Sequence, residues 1–492
     1  MQQHFRSRYA HRHAVKNGQM TPSQWRKLSF FDLHVLIGAL RENEAEDAFV
    51  SIFLVLSLLT GSPAERVLES QLYRSTTDIP RQLDAGALCC VLRERVWVRG
   101  VLRPDYAKSA RSEWLRYVEA TTTKLTFPIP EELMSILVSR LKELPLDFNP
   151  GKRRPLFPLR DAPILEAVKR FLSKLNERYK TQFTLLRIQQ ILFNLLIAGE
   201  GDRVEAALIT GQMPSTGQAA SLYYHWAKKS DLIHTYKEAL GGLPAPITFE
   251  WSARSGASTL GVGSEICPKT KPLQLLANDL QAAIEIARRN WGHQDAWIDF
   301  HNCYIRYVIV MVLFATGHRA VQDPIPYAED VDWERGLVVI NDKSGDHMQK
   351  DRLVPLVPTC LLQLEKFVRH RNCILTRMRL LLKTPVRNEL PFFFFLSDDL
   401  KPQSVQPKTL QDQLSDTYDL PLNINRHLLR STLRKQGLPG TAVDAFMGHW
   451  SDGQNPFDRF SAMDPQVFLS QCSKALETLF SEAGWHVVEG LS

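Results

Sequence analysis

The sequence predicts a mainly α, multidomain protein. Three observations carry that expectation. The 492 residues exceed what one ordinary core encloses. Long stretches place apolar residues at three- and four-residue intervals, the spacing of one buried helix face. Runs with strand character are short and gather around one late polar turn.

In chain order, the pattern from Phe30 to about Lys142 reads as helical. "FDLHVLIGALRENEAEDAFVSIFLVLSLLTG" has the period and stops at Gly61. Residues 1–143 are therefore expected to form a helical N-terminal domain. The segment 144–163 contains prolines that break any helix, together with Lys152, Arg153 and Arg154, so it reads as an extended basic linker. Helical periodicity returns over 164–244, where Tyr223, Tyr224 and Trp226 read as core aromatics rather than base-stacking residues. The stretch 245–271 is rich in Gly, Ser and Pro and reads as an interdomain linker.

The block 272–492 changes character. An amphipathic helix and an apolar helix lead to "ATGHRAVQDP". "GLVVI" and "RLVPLV" flank a polar turn and predict a β-hairpin. Helices then resume, and "PFFFFLS" reads as a buried strand or loop. The apolar run "VIVMVLFATG" is too short to span a bilayer and predicts a buried helix.

Composition narrows the function classes. A formal charge of +7 gives a mild bias toward anionic partners such as nucleic acid. The first 31 residues hold six Arg and Lys side chains and no acid before Asp32, which suits either a basic arm touching phosphates or a solvated terminus. Seven cysteines form no C-x-x-C pair, so neither a disulfide framework nor a structural zinc site is expected, and a reducing cytosol fits. No secretory leader pattern is legible in the opening residues.

Four short motifs in the last block carry chemistry. Arg319 ends "TGHR" after the apolar helix. Lys343 lies in the hairpin turn, 24 residues later. His427 and Arg430 form H-x-x-R in "RHLLRSTL". His449 follows Gly448 in "MGHW". Singly, each is an ordinary surface or helix-end feature; their order and setting give them weight.

Together these segments resemble the catalytic domain of the tyrosine recombinases, or phage integrases, over roughly 272–466. The resemblance implies helices with a small antiparallel sheet, preceded by a core DNA-binding domain at 164–244. It implies that Arg319 and Arg430 grip the non-bridging oxygens of a phosphodiester with guanidinium forks. His427 and His449 would add hydrogen bonds or shuttle a proton, and Lys343 would protonate the departing 5′ oxygen. No metal, cofactor or small-molecule ligand is called for, since the cations are side chains. Departures from the family pattern are His318, Gln322 followed by Asp323, and Ser431.

The nucleophilic tyrosine expected after "GH" is missing. Phe457 and Phe460 stand in its neighbourhood, with Phe460 in "DRFSAMDP" the better match, and no tyrosine follows Tyr418. Phenylalanine keeps the ring but has no oxygen to attack phosphorus. The chain is then a divergent member working with an active partner, a protein in which a tyrosine was replaced to trap a complex, or one in which Ser461 attacks. The resemblance implies double-stranded DNA as partner, an oligomer on DNA, and integration of a mobile element in a bacterial cytosol or nucleoid. A non-catalytic DNA-binding accessory protein and a type IB topoisomerase-like enzyme are the alternatives.

Overall fold

The computed structural model describes residues 27–491 apart from 43, 46, 105–106, 144–153, 158–160, 199–200, 214–218, 245–246, 250–258, 291–295, 322, 326, 342–350, 383–389, 416–418, 450–454 and 460. The basic arm before residue 27, Lys152, Arg153, Lys343 and Phe460 lie outside the described residues. The chain forms two compact units: Met1–Asp105, Thr121–Ser215 and Ala227–Gly263 in the first, and Tyr106–Ala120, Thr216–Trp226 and Ser264–Ser492 in the second.

In the first unit, helices cover Phe30–Arg41 and Ala48–Thr60. Ser29 and Asp32 form a capping box at the start of the former. The latter begins at an Asp47 cap and ends at Gly61, whose φ of 59° supplies the left-handed turn that stops it. Beyond this point the expected helical pattern up to Lys142 holds only for Ala64–Leu68 and Glu131–Lys142, and the stretch between them is corrected. Strands β1 (Gln71–Tyr73), β2 (Leu88–Val91), β3 (Val96–Gly100), β4 (Lys124–Pro128) and β5 (Arg154–Pro155) form a sheet in the order β4-β3-β2-β1-β5. Only β1 and β2 run parallel. Every residue of β2 and β3 is buried, so these strands lack the inside–outside alternation that would mark them in a sequence. Arg154, expected in a linker, pairs with Leu72 at the sheet edge.

The helical stretch 164–244 does not stand alone. Its first helix, Asp161–Tyr179, packs on Ala48–Thr60 in the first unit, whereas α1 (Ala219–Tyr224) belongs to the second.

The second unit is helical with two small sheets, as expected for this block. Its helices are α1, α2 (Thr270–Arg289), α3 (Ala296–Thr316), α4 (Pro358–Leu382), α5 (Pro407–Leu414), α6 (Ile424–Lys435), α7 (Gly440–Met447) and α8 (Pro465–Glu482). Strands β6 (Val331–Asp332), β7 (Leu337–Ile340) and β8 (Arg352–Pro355) form an antiparallel sheet in which Arg352 faces Ile340, as the hairpin reading expects. "PFFFFLS" supplies β9 (Phe394–Leu396), buried and paired with β10 (Pro402–Ser404). By length and composition α3 would cross a membrane, but here it is buried in the unit's core, with α2, α4 and α6 against it.

A buried pair of histidines ties the chain's last residues into this core. His301 Nε2 lies 3.0 Å from the Phe394 carbonyl and must donate to it. His301 Nδ1 therefore accepts from His370 Nε2 at 3.0 Å, and His370 Nδ1 accepts from the Leu491 amide at 3.0 Å. The chain of bonds closes only with both rings neutral. Burial pushes His301 down to about 4 and, with His301 beside it, His370 down to about 2.

Candidate functional site

The turn after α3 is held from several directions. Gly317 has φ of +63°, and its carbonyl accepts from Arg426 at 2.7 Å and Arg352 at 2.9 Å. Arg352 also donates to the carbonyls of Thr316 at 2.8 Å and Phe446 at 2.5 Å. Asn425 Nδ2 reaches the carbonyls of Leu313 at 2.6 Å and His318 at 2.8 Å, and Asn423 Oδ1 accepts from the Ala320 amide at 2.8 Å. The start of α6 thus fixes the backbone on both sides of Arg319, which is half-buried.

Helix α6 is packed by α1, α3, α7 and α8, and this explains why its charged residues are buried. His427, Arg430 and Ser431 share one face through their i, i+3 and i+4 spacing. Arg430 is fully buried and lies 3.7 Å from the Asp444 carboxylate. Ser431, where the recombinase pattern often has His, donates to the His427 carbonyl at 2.8 Å and accepts from the Trp226 amide at 2.8 Å.

His449 follows Gly448, a left-handed residue at φ 72° that ends α7. Both of its ring nitrogens have partners inside the fold. Arg426 can only donate, so His449 Nε2, 3.1 Å away, is the acceptor. Nδ1 then carries the proton and donates to Ser221 Oγ at 3.0 Å. The Ser221 hydroxyl in turn donates to Asp444 Oδ1 at 2.9 Å. Tyr224 stacks on the imidazole at 5.7 Å and 9°, with the Arg426 guanidinium 4.9 Å over its own ring. Burial, reinforced by Arg426, Arg430, Arg319 and Arg352 in that order, holds His449 well below the usual histidine range. The ring is therefore neutral and bonded at both nitrogens, an internal brace of the arginine cluster.

His427 differs. Its Nδ1 lies 2.7 Å from Ser264 Oγ, while its buried Nε2 has no hydrogen-bond partner among the described residues. The ring meets Tyr223 and Tyr224 edge to face, each at 4.8 Å. Burial pushes this imidazole down to about 3, with Arg426 and Lys108 adding to the effect. It lines a cavity of about 320 Å³ together with Lys108, Lys408, Tyr223, Tyr224, Asn423 and Ala320.

Of the residues expected from sequence, Arg319, His427, Arg430 and His449 fall in this one region. Phe457 is 38% exposed, and its ring packs edge-on against Phe468 at 6.2 Å. Lys343 and Phe460 are outside the described residues. Sequence reasoning missed Arg352, Arg426, Asp444, Ser221, Ser264 and the two tyrosines. A signal for Arg426 was present: it is four residues before Arg430, and so on the same side of the helix. Ser221, 228 positions from His449, had no local signal at all.

No protein-family model matches the sequence, and no curated protein matches it. Among solved structures, one match is titled "Crystal structure of XerA recombinase": 12% identity, covering 64% of this chain and 96% of that chain, at a TM-score of 0.19. A TM-score that low carries no argument about fold or function.

Proposed function

We propose that this chain is a recombinase- or integrase-like protein that binds duplex DNA and takes part in strand breakage and rejoining. One observation supports the reading most. Arg319, His427, Arg430 and His449, drawn from three separate stretches of sequence, gather where the α3 turn meets α6. A cluster of guanidiniums suits an anion that accepts in several directions, and a phosphodiester does so; Asp444 meets part of the Arg430 charge within the fold. Charge on the non-bridging oxygens grows during phosphoryl transfer, which is where buried forks help most. Lys343 is assigned the 5′-oxygen proton by resemblance alone. The same reading makes the active form an oligomer on paired DNA sites in a bacterial cytosol or nucleoid, serving mobile-element integration.

Duplex binding measured against salt concentration tests this. The parent should bind with a steep salt dependence, and Arg319→Ala combined with Arg430→Ala should weaken binding tenfold or more and reduce the slope by roughly one to two. Binding indifferent to both changes would sink the reading.

A second reading, DNA binding without cleavage, is favoured by two observations. Phe457 offers no hydroxyl, and His449 has both nitrogens committed internally. A suicide duplex that forms a covalent adduct with Phe460→Tyr and not with the parent would support loss of the nucleophile. No adduct from either would support binding alone.

A further inference from the structure

We propose that the cavity between α1, α5 and the start of α6 binds an adenine nucleotide. The inference goes beyond the DNA reading and does not rest on it, because the arginine cluster does not line this cavity.

Separate stretches of the second unit meet there. Lys108 comes from the segment Tyr106–Ala120, which joins this unit from far upstream. Lys408 and Gln411 stand on α5 at i, i+3 spacing and so share one face of it. Asn423 is the N-cap of α6, and His427 follows one turn later. Tyr223 and Tyr224 close the wall from the end of α1.

The charged lining has one sign. Two ammonium groups are joined by two amides and an imidazole, and among the described residues no carboxylate lines the space. Neither Lys108 nor Lys408 forms an ion pair or hydrogen bond with a described residue. Two ammoniums without a counter-charge attract an anion, and a phosphate accepts from both at once. The Lys108 charge is felt at the buried wall: burial first, then Arg426, then Lys108 depress the His427 imidazole.

The rest of the lining is apolar. Ile266, Pro407, Pro421 and Leu422 stand beside the two tyrosines. A ligand that matches both parts carries an anionic group on a flat, largely apolar body. The volume of about 320 Å³ lies at the small end of the range for ligand pockets, roughly 300–1,000 Å³, which suits one nucleotide and excludes a duplex.

Gln411 points to the base. It makes no hydrogen bond to a described residue, and its amide offers an acceptor and a donor side by side. Adenine presents the complementary pair, an N6 amino group beside N7, and glutamine can bond both. Asn423 Oδ1 already accepts from the Ala320 amide at 2.8 Å, which fixes the side chain and leaves Nδ2 to donate to base or ribose.

The test is calorimetric titration of the full chain with adenosine 5′-monophosphate, with uridine 5′-monophosphate and adenosine as comparisons. The adenine nucleotide should bind at one site with a Kd of about 1 mM or tighter, about fivefold or more tighter than the uridine nucleotide. Adenosine, which lacks the phosphate, should bind about tenfold or more weaker. Lys108→Ala with Lys408→Ala should weaken the adenine nucleotide about tenfold or more, and Gln411→Leu should remove the preference for adenine. Arg319→Ala should leave nucleotide affinity within about threefold. Melting temperatures of each variant show whether a loss is unfolding, and only variants that melt with the parent are scored. No binding by the parent, equal affinity for the two bases, or indifference to the lysine pair overturns the proposal. Loss of nucleotide on Arg319→Ala also overturns it, since the ligand then sits at the arginine cluster. Displacement of the nucleotide by single-stranded oligodeoxyadenylate assigns the adenine to an unpaired strand; failure to displace assigns it to the free nucleotide, and either result keeps the site. Duplex binding is scored separately on the same samples, and its absence overturns the DNA reading while the nucleotide site stands.

Discussion

Replacing Ser221 by alanine removes a single oxygen and should destabilise the second unit by about 2–5 kcal/mol. That oxygen is fully buried, accepts from His449 Nδ1 at 3.0 Å and donates to Asp444 Oδ1 at 2.9 Å. Ser221→Ala removes the acceptor of the His449 Nδ1–H and one donor to the Asp444 carboxylate, in a region where water does not reach. Each such group costs about 1–3 kcal/mol, with the charged one at the upper end. The methyl group that remains fills most of the serine volume, so the cavity contribution is small. For a unit of this size about 3 kcal/mol corresponds to a fall of roughly 6–12 °C in its melting temperature. Scanning calorimetry reads this directly. A double-mutant cycle with Asp444→Ala should give a coupling of about 1–2 kcal/mol, because the two changes share one hydrogen bond. A shift under about 1 °C, or a coupling near zero, would refute the assigned Asp444–Ser221–His449 chain.

Three further outcomes follow from the geometry. Gly317→Ala should cost about 1–2 kcal/mol and weaken DNA binding, since φ is +63° and the new Cβ would lie 3.2 Å from Leu429 Cδ1; paired thermal melts and gel shifts check both effects. Arg426→Met should lower stability by about 3 kcal/mol or more by removing the donor to the Met447 carbonyl and to His449 Nε2 and leaving the Gly317 carbonyl with Arg352 alone, whereas Arg319→Ala should change the melting temperature little and reduce DNA binding. The third concerns pH. His301, His370 and His427 have folded values of about 4, 2 and 3, all below the unfolded value near 6.5. The unfolded chain therefore binds more protons as pH falls below 6.5. Their stabilisation is complete above that pH and is lost toward the folded values, at about 1.4 kcal/mol per pH unit for each histidine. Melting temperature should already fall between pH 6.5 and 5; a plateau down to the carboxylate range would contradict neutral burial.

What the sequence determined by itself was local. Apolar residues at three- and four-residue intervals located the helices from Phe30 to Gly61 and across the last block, and the polar turn between "GLVVI" and "RLVPL" gave the hairpin. The order and setting of four short motifs singled out Arg319, His427, Arg430 and His449, through their resemblance to the tyrosine recombinases. Periodicity records one face of burial, so it failed for β2 and β3, which are covered on both faces and show no alternation. Tertiary structure alone decided which groups each side chain would meet. It committed His449 to Ser221 and Arg426, made Arg352 and Arg426 braces of the Gly317 carbonyl, and buried His427 Nε2 with no hydrogen-bond partner among the described residues. Hydrogen bonding depends on distances between residues up to 228 positions apart, and no local pattern encodes those distances.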